Sequence, residues 1–272
     1  MTATTLSPSP TRTTRARRRG TGWRGFGTLL STEARLWVRD GGTVFFSLAF
    51  PTVLLLGVGF AIPGMRDPLE DAGPWTGLSA ISLYLPVVLA AAVATPALTT
   101  MPVYFATFRE KGLLRRLSTT PMRPQGIVVA HLVINLVAIV AATGIALGIG
   151  SLVFDVPVPR HVATVVLAFL LAVLSMLSLG VVVAARVPKA STASAIGSLI
   201  YFPLLFLSGM WTPGPIMPDA VREIGQYTPL GAAAQAMTAG WFEDGFPTLQ
   251  VVVMAVWTVV LLPLGVRLFR WS

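Results

Sequence analysis

Six runs of apolar residues constrain this chain more than any other feature. They are Thr43–Ile62, Leu78–Met101, Gln125–Phe154, Val162–Ala185, Ser191–Met210 and Leu249–Phe269. Each carries few charges or none and is close to, or longer than, the roughly 20 residues that cross a bilayer core of about 30 Å. In lipid every backbone N–H and C=O needs a partner within the protein, so a spanning run of this kind must be helical. None alternates polar and apolar residues as an outer-membrane strand does. The predicted class is all-α integral membrane with six transmembrane helices. The third run exceeds what a bilayer needs and is expected to tilt, kink or project.

Composition excludes several other classes. Of 272 residues 54% are hydrophobic and 11% charged, against about 25% charged in an average soluble protein. Disorder needs low hydrophobicity, and a soluble enzyme needs more charge to cover its surface. The absence of cysteine excludes a disulfide scaffold, a thiolate metal site and a cysteine nucleophile. His131 and His161 are the only histidines, which leaves little material for a zinc centre.

The net charge of +9 is distributed by side. Crossing six times puts the N-terminus, the loops after the second and fourth runs, and the C-terminus on one face. All of the 20 Lys and Arg except Arg66, Arg160 and Arg222 fall there. The positive-inside rule makes that face cytoplasmic, with both termini inside and the chain multi-pass in the inner (plasma) membrane. Of the 11 acids only Glu33, Asp40 and Glu110 share the face.

The chain divides into a basic tail, residues 1–22, and a membrane domain, residues 23–272. The tail is rich in Thr, Ser, Pro and Arg and is expected to be disordered. Arg12, Arg15, Arg17, Arg18 and Arg19 would lie on anionic lipid rather than on nucleic acid. It lacks the short apolar core and small-residue cleavage site of a secretory signal. Residues 25–40 are too polar to span. On a helical wheel Phe26, Leu30 and Trp37 share one side and Arg24, Arg35 and Arg39 the other, as in a helix lying in the membrane interface. Glu33 falls on the apolar side, which implies a protein partner for it.

Residues 103–124 form the most distinctive loop. Tyr104, Phe105 and Phe108 make one short apolar face; Leu113, Leu114 and Leu117 make another, with Arg115 and Arg116 opposite. A break is expected near Gly112, which lacks a Cβ, and Pro121 and Pro124 end the second piece. Such an element would present Arg109, Glu110 and Lys111 to a cytosolic partner.

From Phe108 to Pro124 the chain reads Phe-Arg-Glu-Lys-Gly-Leu-Leu-Arg-Arg-Leu-Ser-Thr-Thr-Pro-Met-Arg-Pro. This run resembles the signature of ABC-2 type transporter permeases, and most closely the bacterial drug-resistance exporters of the daunorubicin type. The resemblance extends over nearly the whole chain. It implies that the Glu-x-Gly element, Glu110 and Gly112, belongs to a coupling helix that docks on an ATPase subunit, with Arg109, Lys111, Arg115 and Arg116 around it. It further implies a homodimer of this chain with two ATPase subunits, which would bind the ATP and Mg. The first, second and fifth spans would shift when ATP binds. A pathway would then be lined by Phe45, Phe46, Phe50, Tyr84, Tyr201, Phe202 and Phe206, which suits a small hydrophobic or lipid-like substrate.

Residues 211–240 precede the last span. Pro213, Pro215 and Pro218 prevent one continuous helix. Val221, Ile224 and Tyr227 suggest a short amphipathic helix, and Pro229 opens another, Leu230–Ala239. Both are too short to cross, and the resemblance implies a re-entrant pair. Met210, Trp211, Trp241 and Phe242 are expected at the membrane interface as anchors. Pro51, Pro86, Pro96 and Pro203 predict kinks. Gly144 and Gly148, four apart, suggest a close helix crossing within the chain. His131 and Asn135, one turn apart, suit an interhelical hydrogen bond, with contact to substrate as the other possibility.

What is missing bears on the role. No Gly-x-x-x-x-Gly-Lys-[Ser/Thr] loop occurs; Lys111 and Lys189 are the only lysines. ATP would therefore bind a separate polypeptide, and this chain would be a non-catalytic subunit with no cofactor of its own. The spans hold no acidic or basic residue except near their ends, which counts against a proton- or sodium-coupled secondary carrier. The expected function is export of hydrophobic drugs or natural products, hence antibiotic resistance. The alternatives are a permease for a lipid-linked glycan or lipid, a secondary carrier without an ATPase, and a membrane scaffold.

Overall fold

The computed structural model describes residues 25–70, 73–112, 125–212 and 217–268. The N-terminal arginine tail lies outside them. Nine helices organise the described residues. Helix α1, Phe26–Arg39, lies against the bundle. Six helices are long and apolar enough to cross a membrane: α2 (Gly41–Ala61), α3 (Ala80–Glu110), α4 (Gln125–Phe154), α5 (Val162–Arg186), α6 (Ala190–Leu207) and α9 (Thr248–Leu268). Between the last two lie α7 (Asp219–Gly225) and α8 (Pro229–Phe242). No β-strand forms among the described residues; Pro68 and Ser79 make an isolated bridge.

Helix α3 is the axis of the bundle. Its apolar stretch is wholly buried, whereas those of the other five spans are between 17% and 50% buried. It packs against α2, α4, α5, α6 and α8. Two glycines allow this crowding. A Cβ on Gly180 of α5 would overlap the Ala97 carbonyl of α3, and one on Gly197 of α6 would overlap the Leu98 carbonyl. Small residues let helix backbones approach when packing is the main force joining them. Gly144 and Gly148 behave otherwise: no atom outside their own helix's local backbone comes within 4 Å of a Cβ built on either. The expected crossing within the chain is absent there, because that stripe of α4 faces outward with Val137 and Val140.

Proline rearranges both α2 and α3. Residues Phe45–Ala49 and Pro96–Thr100 adopt π-helix, each ending two residues before a further proline, Pro51 and Pro102. In each the chain bonds five residues back: Phe50 N–H to Phe45 C=O, and Met101 N–H to Pro96 C=O. Proline has no N–H for the carbonyl four residues before it, so the ladder shifts register rather than breaking. Thr99 and Thr100 hydroxyls donate to the carbonyls of Thr95 and Pro96, at 2.7 and 2.9 Å.

The pair α7–α8 has 7 and 14 residues, about 10 and 21 Å at 1.5 Å per residue, too short to cross. Thr228 caps α8, its hydroxyl oxygen accepting from Gly231 N–H at 3.1 Å. Most of α8 is buried against α3 and α5. This burial corrects the anchor assignment: Met210, Trp241 and Phe242 are buried, and Trp241 Nε1 donates to the Pro157 carbonyl at 2.7 Å. Trp211 alone of the four is exposed. Ile224 and Tyr227 are exposed as well, so α7 turns its glycine rather than its apolar side inward.

Candidate functional site: a through-bundle groove and a clamp at its basic end

Helices α2, α3 and α6 line an open groove of about 860 Å³. It begins at Asp40, just before α2, and ends at Met65, Met210 and Trp211, beyond the far ends of α2 and α6. From Thr43 to Ile62 the α2 wall rises about 30 Å, the thickness of a bilayer core. Of the residues the sequence suggests for a pathway, Phe46, Phe50, Tyr84, Tyr201 and Phe202 line this groove. Three expected members do not. Phe45 packs edge-to-face with Phe46, ring centroids 5.3 Å apart, and stays outside the groove. Phe206 lies beside Trp211, with its ring centroid 6.5 Å away. Asn135 is buried in α4 and donates to the His131 carbonyl, four residues back, at 2.8 Å.

The groove is apolar with a few fixed hydroxyls. Tyr201 and Thr95 hydroxyls are 2.8 Å apart, and the Tyr84 hydroxyl donates to the Met210 sulfur at 2.8 Å. Thr99 and Ser198 also line it. Both π-helical segments adjoin it, Phe46 coming from the first and Thr99 from the second. Asp40 caps α2, accepting from the Thr43 hydroxyl at 2.7 Å and its N–H at 3.2 Å. Those two bonds, the hydroxyl's first, hold the Asp40 carboxyl below the ordinary carboxylate value, so it is ionised at neutral pH.

At the basic end, the last turn of α3 grips the connection between α5 and α6. Arg109 donates to three carbonyls at the end of α5: Ala184 at 3.0 Å, Ala185 at 3.2 Å and Val187 at 2.6 Å. The Glu110 carboxylate accepts from Ala190 N–H at 3.2 Å, at the start of α6. A cation thus meets a helix C-terminus and an anion meets the next helix's N-terminus, the favourable arrangement for both helix dipoles. Lys111 ends the helix, and Gly112 follows with φ +66°, a left-handed conformation that glycine adopts without the Cβ penalty. Arg115 and Arg116 lie outside the described residues. Arg109 and Glu110 thus both bond to the α5–α6 connection of the chain itself, contacts that no local pattern encodes.

A buried polar contact lies beside this clamp. Glu33 of α1 and His131 of α4 meet at 3.2 Å. Tyr104, Phe105 and Phe108 surround the imidazole with ring centroids 4.5 to 5.7 Å away. Glu33 on the apolar side of α1 was the visible signal; its partner was not. At the acidic end a smaller cavity of about 390 Å³ is bordered by Arg222, Glu223, Gln235, Glu243 and Gln250 together with Trp75, Leu83, Val87 and Phe246. No local pattern in the sequence marks it, because its residues come from four helices and the connections between them.

Residues 24–242 match the family described as ABC-2 type transporter, a span from α1 through the end of α8. The chain belongs to the ABC-2 type transporter family. No curated protein matches it. As an ABC-2 membrane domain with six spanning helices it is a multi-pass transporter permease, and permeases of this family generally work with an ATPase subunit.

Proposed function

We propose that this permease exports small hydrophobic or amphipathic molecules, drugs or natural products among them, across the inner membrane, driven by a separate ATPase. The groove through the bundle carries this reading. Its volume falls within the roughly 300–1,000 Å³ of small-molecule sites, and its aromatic lining with a few hydroxyls suits an apolar body with polar edges. The second wall would come from another copy of the chain, since Phe202 and Phe206 of α6 and Phe45 and Phe46 of α2 are about half exposed. Two ATPase subunits would then sit at the basic end, where the charge distribution favours the cytoplasm and both termini. Movement of the Arg109–Gly112 segment would be carried into α6, a groove wall, through Glu110.

Purified together with its ATPase and placed in vesicles, the permease is expected to move a fluorescent hydrophobic dye in an ATP-dependent, vanadate-sensitive manner. Loss of dye movement in Tyr201→Trp or Phe50→Trp, with ATP hydrolysis retained, would tie that transport to the groove. Transport insensitive to vanadate would refute the ATP-driven reading and favour a secondary carrier.

A further inference from the structure

We infer that Asp40 makes the groove selective for amphipathic organic cations, a substrate class that rests on the export reading above. Among the described residues lining the groove, Asp40 is the one charged side chain. None of the ion pairs among the described residues includes it. Thr43 occupies one bond to each carboxylate oxygen, and a carboxylate offers about four acceptor positions. The aromatic rings of Phe46, Phe50, Tyr201 and Phe202 line the groove with it. Ring faces attract cations and carry no charge to attract anions. No basic side chain borders the groove among the described residues, so an anion drawn in would lose its hydration without an ionic partner there.

The position of Asp40 gives this charge a second effect. It stands at the N-terminus of α2, and an uncapped helix N-terminus attracts anions. The surrounding face is also strongly basic. The Asp40 carboxylate offsets that preference for anions at the entrance. Because Asp40 is exposed, the effect on binding is modest, about three- to fivefold at low salt, and is screened as salt rises.

Asp40→Asn separates charge from capping, since asparagine caps helices as well as aspartate does. The test uses the purified permease–ATPase complex in nanodiscs, with ATPase stimulation by ethidium, a permanent cation, and by progesterone, which is neutral. In Asp40→Asn the ethidium KM is expected to rise about three- to fivefold at low salt, less at high salt. The progesterone KM should stay within about twofold, and Asp40→Glu should restore ethidium stimulation. An unchanged ethidium KM, with both compounds stimulating the unsubstituted complex, overturns the cation selectivity and leaves the export reading standing. An equal rise for both compounds makes Asp40 a structural cap and also overturns it. Failure of both compounds to stimulate the unsubstituted complex overturns the export reading and the selectivity together.

Discussion

Glu33 and His131 are 98 residues apart in sequence and 3.2 Å apart in space, each nearly sealed from solvent. They join α1, which does not cross the membrane, to α4, which does. The aromatic side chains around His131 come from α3, from the same turns that lead into Arg109 and Glu110. Three elements therefore meet at one polar contact beside the clamp, and α1 is seated by it together with Trp37, which packs on Ile134 and Ala138.

Removing one member of this pair should cost stability. In Glu33→Ala the imidazole is left buried without its partner, which costs about 1–3 kcal/mol. His131→Ala should cost a similar amount, and the double variant less than the sum of the two, because both remove one interaction. Thermal unfolding of the detergent-solubilised permease in a double-mutant cycle measures this. Additive effects would show that the two side chains do not interact.

Glu110→Ala is expected to leave the permease–ATPase complex assembled and hydrolysing ATP while transport per ATP falls severalfold. The substitution frees Ala190 N–H and removes the hydrogen bond from the end of α3 to the start of α6. Assembly is read by co-purification, coupling by the ratio of dye moved to phosphate released. Normal transport at normal expression would remove Glu110 from the coupling route. Arg109→Lys should also impair coupling, because one ammonium does not reproduce a guanidinium spread over three carbonyls.

The glycines separate into two groups with opposite expected responses. Gly180→Ala and Gly197→Ala each drive a methyl into a carbonyl of α3, and overpacking of this kind costs about 1–3 kcal/mol. Gly144→Ala and Gly148→Ala meet open space and should be neutral or gain about 0.5–1 kcal/mol from lower backbone entropy. Melting temperatures of the four variants in one detergent decide the matter. Equal losses in all four would contradict the packing assigned to α3.

Local signals determined much of this protein from sequence alone. A span shows itself by the length and apolarity of one continuous run, so the six crossings were legible. The Lys and Arg bias between loops, the breaks at Pro229 and Gly112, and the run from Phe108 to Pro124 were legible for the same reason. Tertiary structure decided which of those elements touch. In lipid the spans are apolar all round, and hydrophobicity no longer marks the inward face; small residues and carbonyl contacts do that instead. Gly180 and Gly197 were therefore indistinguishable in sequence from Gly144 and Gly148. The groove, the grip of Arg109 and Glu110 on the α5–α6 connection, and the meeting of Glu33 with His131 all join residues far apart in the chain. Their geometry exists only once α3 has been packed at the centre of the bundle.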